Sequence, residues 1–484
     1  MKQSSLHRNT LFLTLSKLLI HATGLIIVMI LTRYMTKNQL GTYNQVFIVI
    51  ELSGILVLGL PDAVIYFLST NKKNELINSL LKIVFTLMVL ALGVLLIYPS
   101  LFSKYFDNII LLNLSINIAI ILALNMFNLF FYNYLVGKFQ IILMVIFQSV
   151  FSVIKLSIIL LYVLRTDISF ESLFNILMFL YIVNFIFQLF CIVLNRDISF
   201  KGSLKFKDIK LIFGYSIPLW LSTLSGILNK LIDKLMVGRY FNTEEFALYS
   251  VLGKELPYTL ITAVFITVTT PLIMKYLSEN NKKDALELWK KTIIYSSHFL
   301  ILVVFSNLLM NRELITFLYS EDYLSGSLIF NIYLITLLTH IAYWGMFLKA
   351  SGKSKYIFYI TLFGLLLNII FNLISIRVFG IIGPALSTLL VSIISIALYT
   401  IINKKIMDVS YKNMFPLLEL LKIVIINGII FLSLALFKLY LLDKLTQSSF
   451  ARLAIIAIIW IMLYSLFNVK IVKQLVYQFI KKGG

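Results

Sequence analysis

Lys17, His21, Arg33, Glu51, Asp62, Lys155, Lys230, Asp233, Lys254 and Glu255 all lie within or at the ends of long apolar stretches. An ionisable side chain at the centre of a bilayer costs roughly 2.5–3.5 kcal/mol on insertion scales. Groups that bear this cost usually face a water-filled cavity or a partner. The cations Lys17, Arg33, Lys155, Lys230 and Lys254 suit an anionic head group such as a phosphate or diphosphate. The acids Glu51, Asp62, Asp233 and Glu255 are candidates for coupling transport to a proton or sodium gradient. No catalytic pattern accompanies them. There is no Walker lysine loop, no His/Cys metal spacing and no other cofactor signature, and Cys191 stands alone in an apolar run. The chain is therefore not expected to be an enzyme.

The spacing is helical. Thr10, Thr14, Lys17, His21 and Gly24 follow steps of three and four and fall on one helix face. Ser216, Thr223, Gly226, Lys230 and Asp233 form a comparable stripe. Asn44, Glu51 and Asp62 share a face, as do Gln148, Ser152 and Lys155. Lys254 and Glu255 fall together, and Asn368, Asn372 and Ser375 make a further polar face. Bland roles compete with these. Lys230 and Asp233 stand at i and i+3 and are placed to pair with each other. Asn368 and Asn372 are suited to join helices. Pro61 marks a break that Asp62 would cap.

The elements that must carry these stripes follow from composition. Hydrophobic residues make up 60% of 484 residues, charged residues only 13%, and mean hydropathy is +0.96. A soluble domain carries about 25% charge, so the bilayer must be the solvent. A span needs about 20 apolar residues. Fourteen are expected, near 10–32, 41–69, 80–102, 109–135, 141–164, 171–194, 209–238, 246–275, 289–311, 325–349, 356–377, 380–402, 417–439 and 450–468. The first is too long for a signal-peptide core and lacks a small-residue cleavage site. The net charge of +21 sits mostly in short connections. With the N-terminus inside, 26 Lys and Arg fall on the inner side and 10 on the outer. The positive-inside rule then puts both termini in the cytoplasm and makes nucleic acid an unneeded explanation of the charge.

An internal repeat organises the spans. Arg33, Tyr34, Met35, Leu40 and Tyr43 correspond to Arg239, Tyr240, Phe241, Phe246 and Tyr249 at a constant offset of 206. Gly137-Lys138 and Gly352-Lys353 correspond at an offset of 215. Six spans per repeat give two halves of the same orientation, related by an axis along the membrane normal. The expected organisation is a six-helix lobe over 1–200, a second over 201–408, and an extra helix pair over 409–484. Facing lobes would bring the polar stripes onto a shared, mostly basic cavity, with His21, Asn44, Gln148, Thr223, Asn368 and Asn372 among its polar lining.

Several segments resemble one family. The run from Phe213 to Pro218, with Tyr215 and Ser216 inside it, precedes Asp233 to Gly238 and then Tyr249. Leu31 to Met35, Leu40 to Tyr43 and Leu58-Gly59-Leu60 come earlier. Leu367-Asn368, Asn372, Phe379-Gly380, Gly383 to Ala385 and Ser387-Thr388 come later. Their order resembles Wzx-type flippases of O-antigen and capsule repeat units, in the multidrug/oligosaccharidyl-lipid/polysaccharide exporter superfamily. Pro384 stands where that family commonly has Ala, and Gly41 has Ala247 as its repeat mate. The resemblance implies a V-shaped, MATE-like bundle in the bacterial inner membrane that works by alternating access. It implies an undecaprenyl-diphosphate-linked oligosaccharide as substrate. It further points to a functional monomer, with a polysaccharide polymerase and a chain-length regulator as candidate partners. Rival readings are a cation-coupled drug exporter, which would lack the final helix pair, and a lipid II flippase. A membrane glycosyltransferase or polymerase fits less well, because no large external loop is present.

Overall fold

The computed structural model describes residues 3–69, 74–165, 169–194, 204–254, 256–442, 446 and 448–468. All regular elements among the described residues are helical. In lipid, a helix satisfies its backbone groups within itself, which is why these apolar runs take this form. The chain divides into two compact units, one up to Val251 and one from Leu252 onward.

The first unit opens with α1 (Gln3–Tyr34), followed by α2 (Lys37–Glu51), α3 (Ser53–Leu56) and α4 (Leu60–Ser69). It continues through α5 (Asn74–Ile97), α6 (Leu101–Phe106), α7 (Ile110–Asn113) and α8 (Ser115–Gly137). Then come α9 (Ile141–Leu164), α10 (Phe170–Leu194), α11 (Phe206–Tyr240) and α12 (Thr243–Leu252). The core is centred on α8, whose Phe127, Phe130, Phe131 and Tyr134 are fully buried. Helices α2, α4, α5, α9 and α10 all pack on it. Polar bonds tie the helices where water is absent: Asn125 Nδ2 donates to Ser53 Oγ at 2.8 Å, and Asn117 Nδ2 to Asn175 Oδ1 at 2.8 Å. Asn184 and Gln188 of α10 both donate to Asn128 Oδ1. Each such bond is worth about 0.6 kcal/mol in a membrane interior.

The second unit contains α13 (Thr259–Ser278), α14 (Lys282–Leu309), α15 (Asn311–Leu318), α16 (Ser327–Thr336) and α17 (Met346–Ala350). It ends with α18 (Ser354–Phe379), α19 (Gly383–Met407), α20 (Tyr411–Met414), α21 (Leu417–Phe437) and α22 (Ser449–Phe467). The last two long helices pack on α14 and α15 around Met310, Ile430, Leu434 and Trp460. His298 of α14 hydrogen-bonds Tyr464 of α22, and Trp460 Nε1 donates to Asn427 Oδ1 at 3.1 Å.

Among the described residues, twelve helical stretches are long and apolar enough to cross a membrane, and one bent pair makes thirteen. One of the twelve runs from Ser354 to Met407, 54 residues. Straight, it would reach about 80 Å at about 1.5 Å per residue, against a hydrocarbon core of about 30 Å. It is instead a hairpin. Gly380 turns with φ +58, α18 and α19 lie along each other, and Ser375 and Ser387 hydrogen-bond across at 2.8 Å. Counting both arms gives fourteen stretches of spanning length among the described residues, in line with the fourteen expected runs.

Three spans differ from expectation, the one expected at 325–349 being divided into α16 and α17 by a 3-10 turn over Leu337–Ile341 and an extended Ala342. The span expected at 41–69 breaks at Val57–Gly59, and its two halves are bent by 47°. Leu58 and Gly59 both have positive φ there (50° and 71°), so the helix cannot run through. The span expected at 246–275 is likewise divided, into α12 and α13. Expected ends elsewhere shift by a few residues; the third span is α5, which ends at Ile97 rather than near 102.

Candidate functional site

Two lysines from different helices converge on one face of α2. Lys155 of α9 places its Nζ 3.6 Å from the centre of the Phe47 ring. Lys230 of α11 places its Nζ 3.0 Å from Glu51 Oε2. Phe47 and Glu51 are four residues apart, about one helical turn, so both lysines make contact on the same face of α2. Lys230 therefore reaches across to α2 instead of pairing down its own helix with Asp233. Its side chain is 65% exposed and that of Glu51 49%. A pair so open exchanges readily with a competing anion, and its net contribution to stability is about 0–1 kcal/mol.

The break in the second span positions this face. Gly59 lies against α11 so closely that a Cβ there would sit 2.6 Å from Ser216 O. Trp220 Nε1 donates at 2.7 Å to Ile55 O, a carbonyl at the broken end of the helix. Ile55 O also accepts from Leu58 N at 3.2 Å, so the bend is tied both within itself and to the neighbouring helix. Ser216, Trp220, Thr223, Ile227 and Lys230 follow steps of four and three, so the stripe that docks on the bend also carries Lys230. Tyr66 of α4 and Tyr215 of α11 stack with centroids 4.2 Å apart and lock the same interface.

The other candidate residues take different places. Asn44 of α2 donates to Ser250 Oγ of α12 at 2.8 Å. Asp233 is buried, 5% exposed, in α11, and Thr223 is half-buried on that helix. Asp62 is exposed in the first turn of α4, just past the break. Lys17 and His21 are exposed on α1, which packs along α9 with Ser16 and Ser149 3.3 Å apart. Gln148 is half-buried on α9. Arg33 stands at the end of α1 with Nη1 on Met29 O at 2.6 Å, where a cation complements the helix dipole. It lies some 16 residues from Lys17, about 24 Å along the helix, so the two do not form one cluster. Lys254, Asn368 and Asn372 belong to the second unit, the two asparagines buried in α18. Glu255 lies outside the described residues.

Three features of the site have weak sequence signals. Phe47 is one aromatic among many. The left-handed bend at Leu58-Gly59 is written in apolar letters. Trp220 alone was discoverable, because it falls in register with the polar stripe of α11. Among the described residues no group of three or more His, Cys, Asp or Glu is placed to hold a metal.

Residues 30–327 match the family described as "Polysaccharide biosynthesis protein". The chain belongs to that family. As a polysaccharide biosynthesis protein it shares its fold with known lipid and drug carriers. The lipid II flippase MurJ, in an inward closed conformation, is similar with a TM-score of 0.75 at 18% identity, over 96% of this chain and 100% of that one. An inward-facing MATE family multidrug resistance transporter of the MOP superfamily is similar at 0.65 and 14%, over 80% of this chain and 95% of that one. A stretch of 46 residues is 54% identical to an uncharacterised membrane protein of Methanocaldococcus jannaschii. That stretch spans only 11% of the relative's length.

The chain is accordingly a multi-pass membrane protein, helical in the regular elements of its described residues, with the fold of MurJ and the MATE transporters. The matched stretch of the family includes α2, α9 and α11, the helices that carry Glu51, Lys155 and Lys230.

Proposed function

We propose that this chain flips an undecaprenyl-diphosphate-linked oligosaccharide from the inner to the outer leaflet of the bacterial cytoplasmic membrane, with both of its termini in the cytoplasm. The observation that carries the proposal is the convergence of Lys155 and Lys230 on one face of α2. Two ammonium groups on one helix face offer a cation to each of the two phosphates of a diphosphate linker. Glu51 occupies Lys230 until the anion arrives, and each lysine then trades its resting partner for a phosphate oxygen. The repeat-related lobes, 1–200 and 201–408, rock to re-expose the bound head group, and the prenyl tail stays in lipid. Glu51 is the first candidate for ion coupling, because release by Lys230 leaves its carboxylate free to take a proton or sodium ion.

Membership of a polysaccharide biosynthesis family supports this reading. So does the extent of the structural likeness, 96% of the chain with a lipid II flippase against 80% with a drug transporter. The test is complementation of a strain lacking its own copy. Lys155→Ala and Lys230→Ala should each abolish surface glycan at unchanged membrane protein level. Normal surface glycan in both variants would overturn the role of the two lysines. Restored drug resistance without restored glycan would assign the chain to export of small cations.

A further inference from the structure

The corner formed by α15, α21 and α22 contains a second charged site. Glu313 of α15 is buried, 5% exposed, although it is a carboxylate. Lys438 Nζ, just past α21, meets it at 2.9 Å and also donates to Leu309 O at 3.1 Å. Arg452, in the first turn of α22, stands 3.9 Å from the same carboxylate and donates from Nε to Thr446 O at 2.8 Å. These contacts line a cavity of about 480 Å³, completed by Arg312, Glu321 and Ser449. Three cations, Arg312, Lys438 and Arg452, face two carboxylates, Glu313 and Glu321, so the cavity carries one net positive charge. Arg312 is exposed and forms no ion pair among the described residues.

The adjacent face of the same helix pair is apolar. Leu314 and Phe317 of α15 meet Phe450 and Leu453 of α22 around a groove of about 270 Å³. On α15 the residues at 312, 313 and 316 turn to the charged cavity and those at 314 and 317 to the groove, which Met310, just before the helix, also lines. On α22 the division is 449 and 452 against 450, 453 and 457. All these residues sit at span ends: α14 stops at Leu309, the stretch Leu417–Leu442 stops past Lys438, and α22 starts at Ser449. Span ends lie at the level of the lipid phosphates, so a basic pocket between helices there is at the depth of an anionic head group.

We propose that this corner binds an anionic phospholipid. Its phosphate sits against Arg312 and the Lys438–Arg452 pair, and one acyl chain lies in the groove between Phe317 and Phe450. Glu313 holds two of the cations in place, and Arg312 supplies the charge that remains for the ligand. A free phosphate would use the cavity and leave the groove unused.

The full chain is placed in nanodiscs of phosphatidylcholine with a fraction of phosphatidylglycerol, and co-purifying lipid is counted by native mass spectrometry. The wild type should retain phosphatidylglycerol over phosphatidylcholine. Arg312→Gln should lower that retention about five-fold, the factor one headgroup-facing cation contributes, and Arg312→Lys should keep most of it. Arg377→Gln, which removes an exposed cation at the end of α18, should keep all of it. Equal retention by wild type and Arg312→Gln would overturn the proposal. Complete displacement by millimolar inorganic phosphate would also overturn it, by making the site one for a soluble anion. These readouts are of binding and stand apart from transport.

Discussion

Asn44 and Ser250 lie 206 residues apart, one repeat length, and hydrogen-bond to each other at 2.8 Å. They are equivalent positions of the two repeats. The bond joins α2 to α12 at positions one repeat length apart. The starts of these helices match as well. Thr36 and Gln39 form a capping box, with Gln39 N on Thr36 Oγ1 at 3.2 Å and Thr36 N on Gln39 Oε1 at 3.1 Å. Asn242 and Glu245, offset by 206, repeat the same two bonds at 2.9 and 3.3 Å.

The Asn44–Ser250 bond is expected to show as coupling. Asn44→Ala, Ser250→Ala and the double variant, compared by thermal unfolding in detergent, should deviate from additivity by about 0.6 kcal/mol. Strict additivity would show that the contact contributes nothing.

Glu51→Ala should separate stability from transport. The pair it makes with Lys230 is half exposed, so its loss should change stability by less than about 1 kcal/mol. Surface glycan in the complemented strain should nevertheless fall several-fold, because Lys230 loses its resting partner. A large drop in stability with normal glycan would make the pair a structural one.

Gly59→Ala tests the bend. A left-handed φ of +71° costs a residue with a Cβ roughly 1–2 kcal/mol, and here the Cβ also meets Ser216 O at 2.6 Å. The variant should accumulate poorly in membranes and unfold at lower temperature than Gly93→Ala, where nothing lies within 4 Å. Equal behaviour of the two would mean that α11 does not need its close approach to the bend.

Glu313→Gln should be costly for a different reason. Removing one partner of a buried pair costs about 3–5 kcal/mol, here near the low end because Lys438 keeps its bond to Leu309 O. The double variant Glu313→Leu with Lys438→Met should recover most of the loss in an unfolding experiment. A double variant no more stable than either single one would contradict the assignment.

Helix positions were legible because apolar runs of membrane length have one satisfactory backbone solution. The hairpin of α18 and α19 was legible from Phe379, Gly380 and Gly383 between two such runs. The residues of the α2 face were legible as types, since Glu51, Lys155 and Lys230 stand out against apolar neighbours. Their partners were not, because Lys230 had Asp233 within reach on its own helix and only the packing of α11 on the bend directs it to Glu51. Glu313, Lys438 and Arg452 escaped notice for the opposite reason. At span ends they look like ordinary connection charges, and the burial of Glu313 depends on how α21 and α22 fold back onto α15.

The two capping boxes bear on the ancestry of the chain. Thr36 and Gln39 share no letter with Asn242 and Glu245, yet each pair makes the same reciprocal bonds one repeat apart. At these cap positions the residue types differ while the hydrogen-bonding roles are the same, because a helix start tolerates any side chain that can cap it. Comparing such chains by the role of each polar group should therefore trace their common origin further back than comparing them by residue identity.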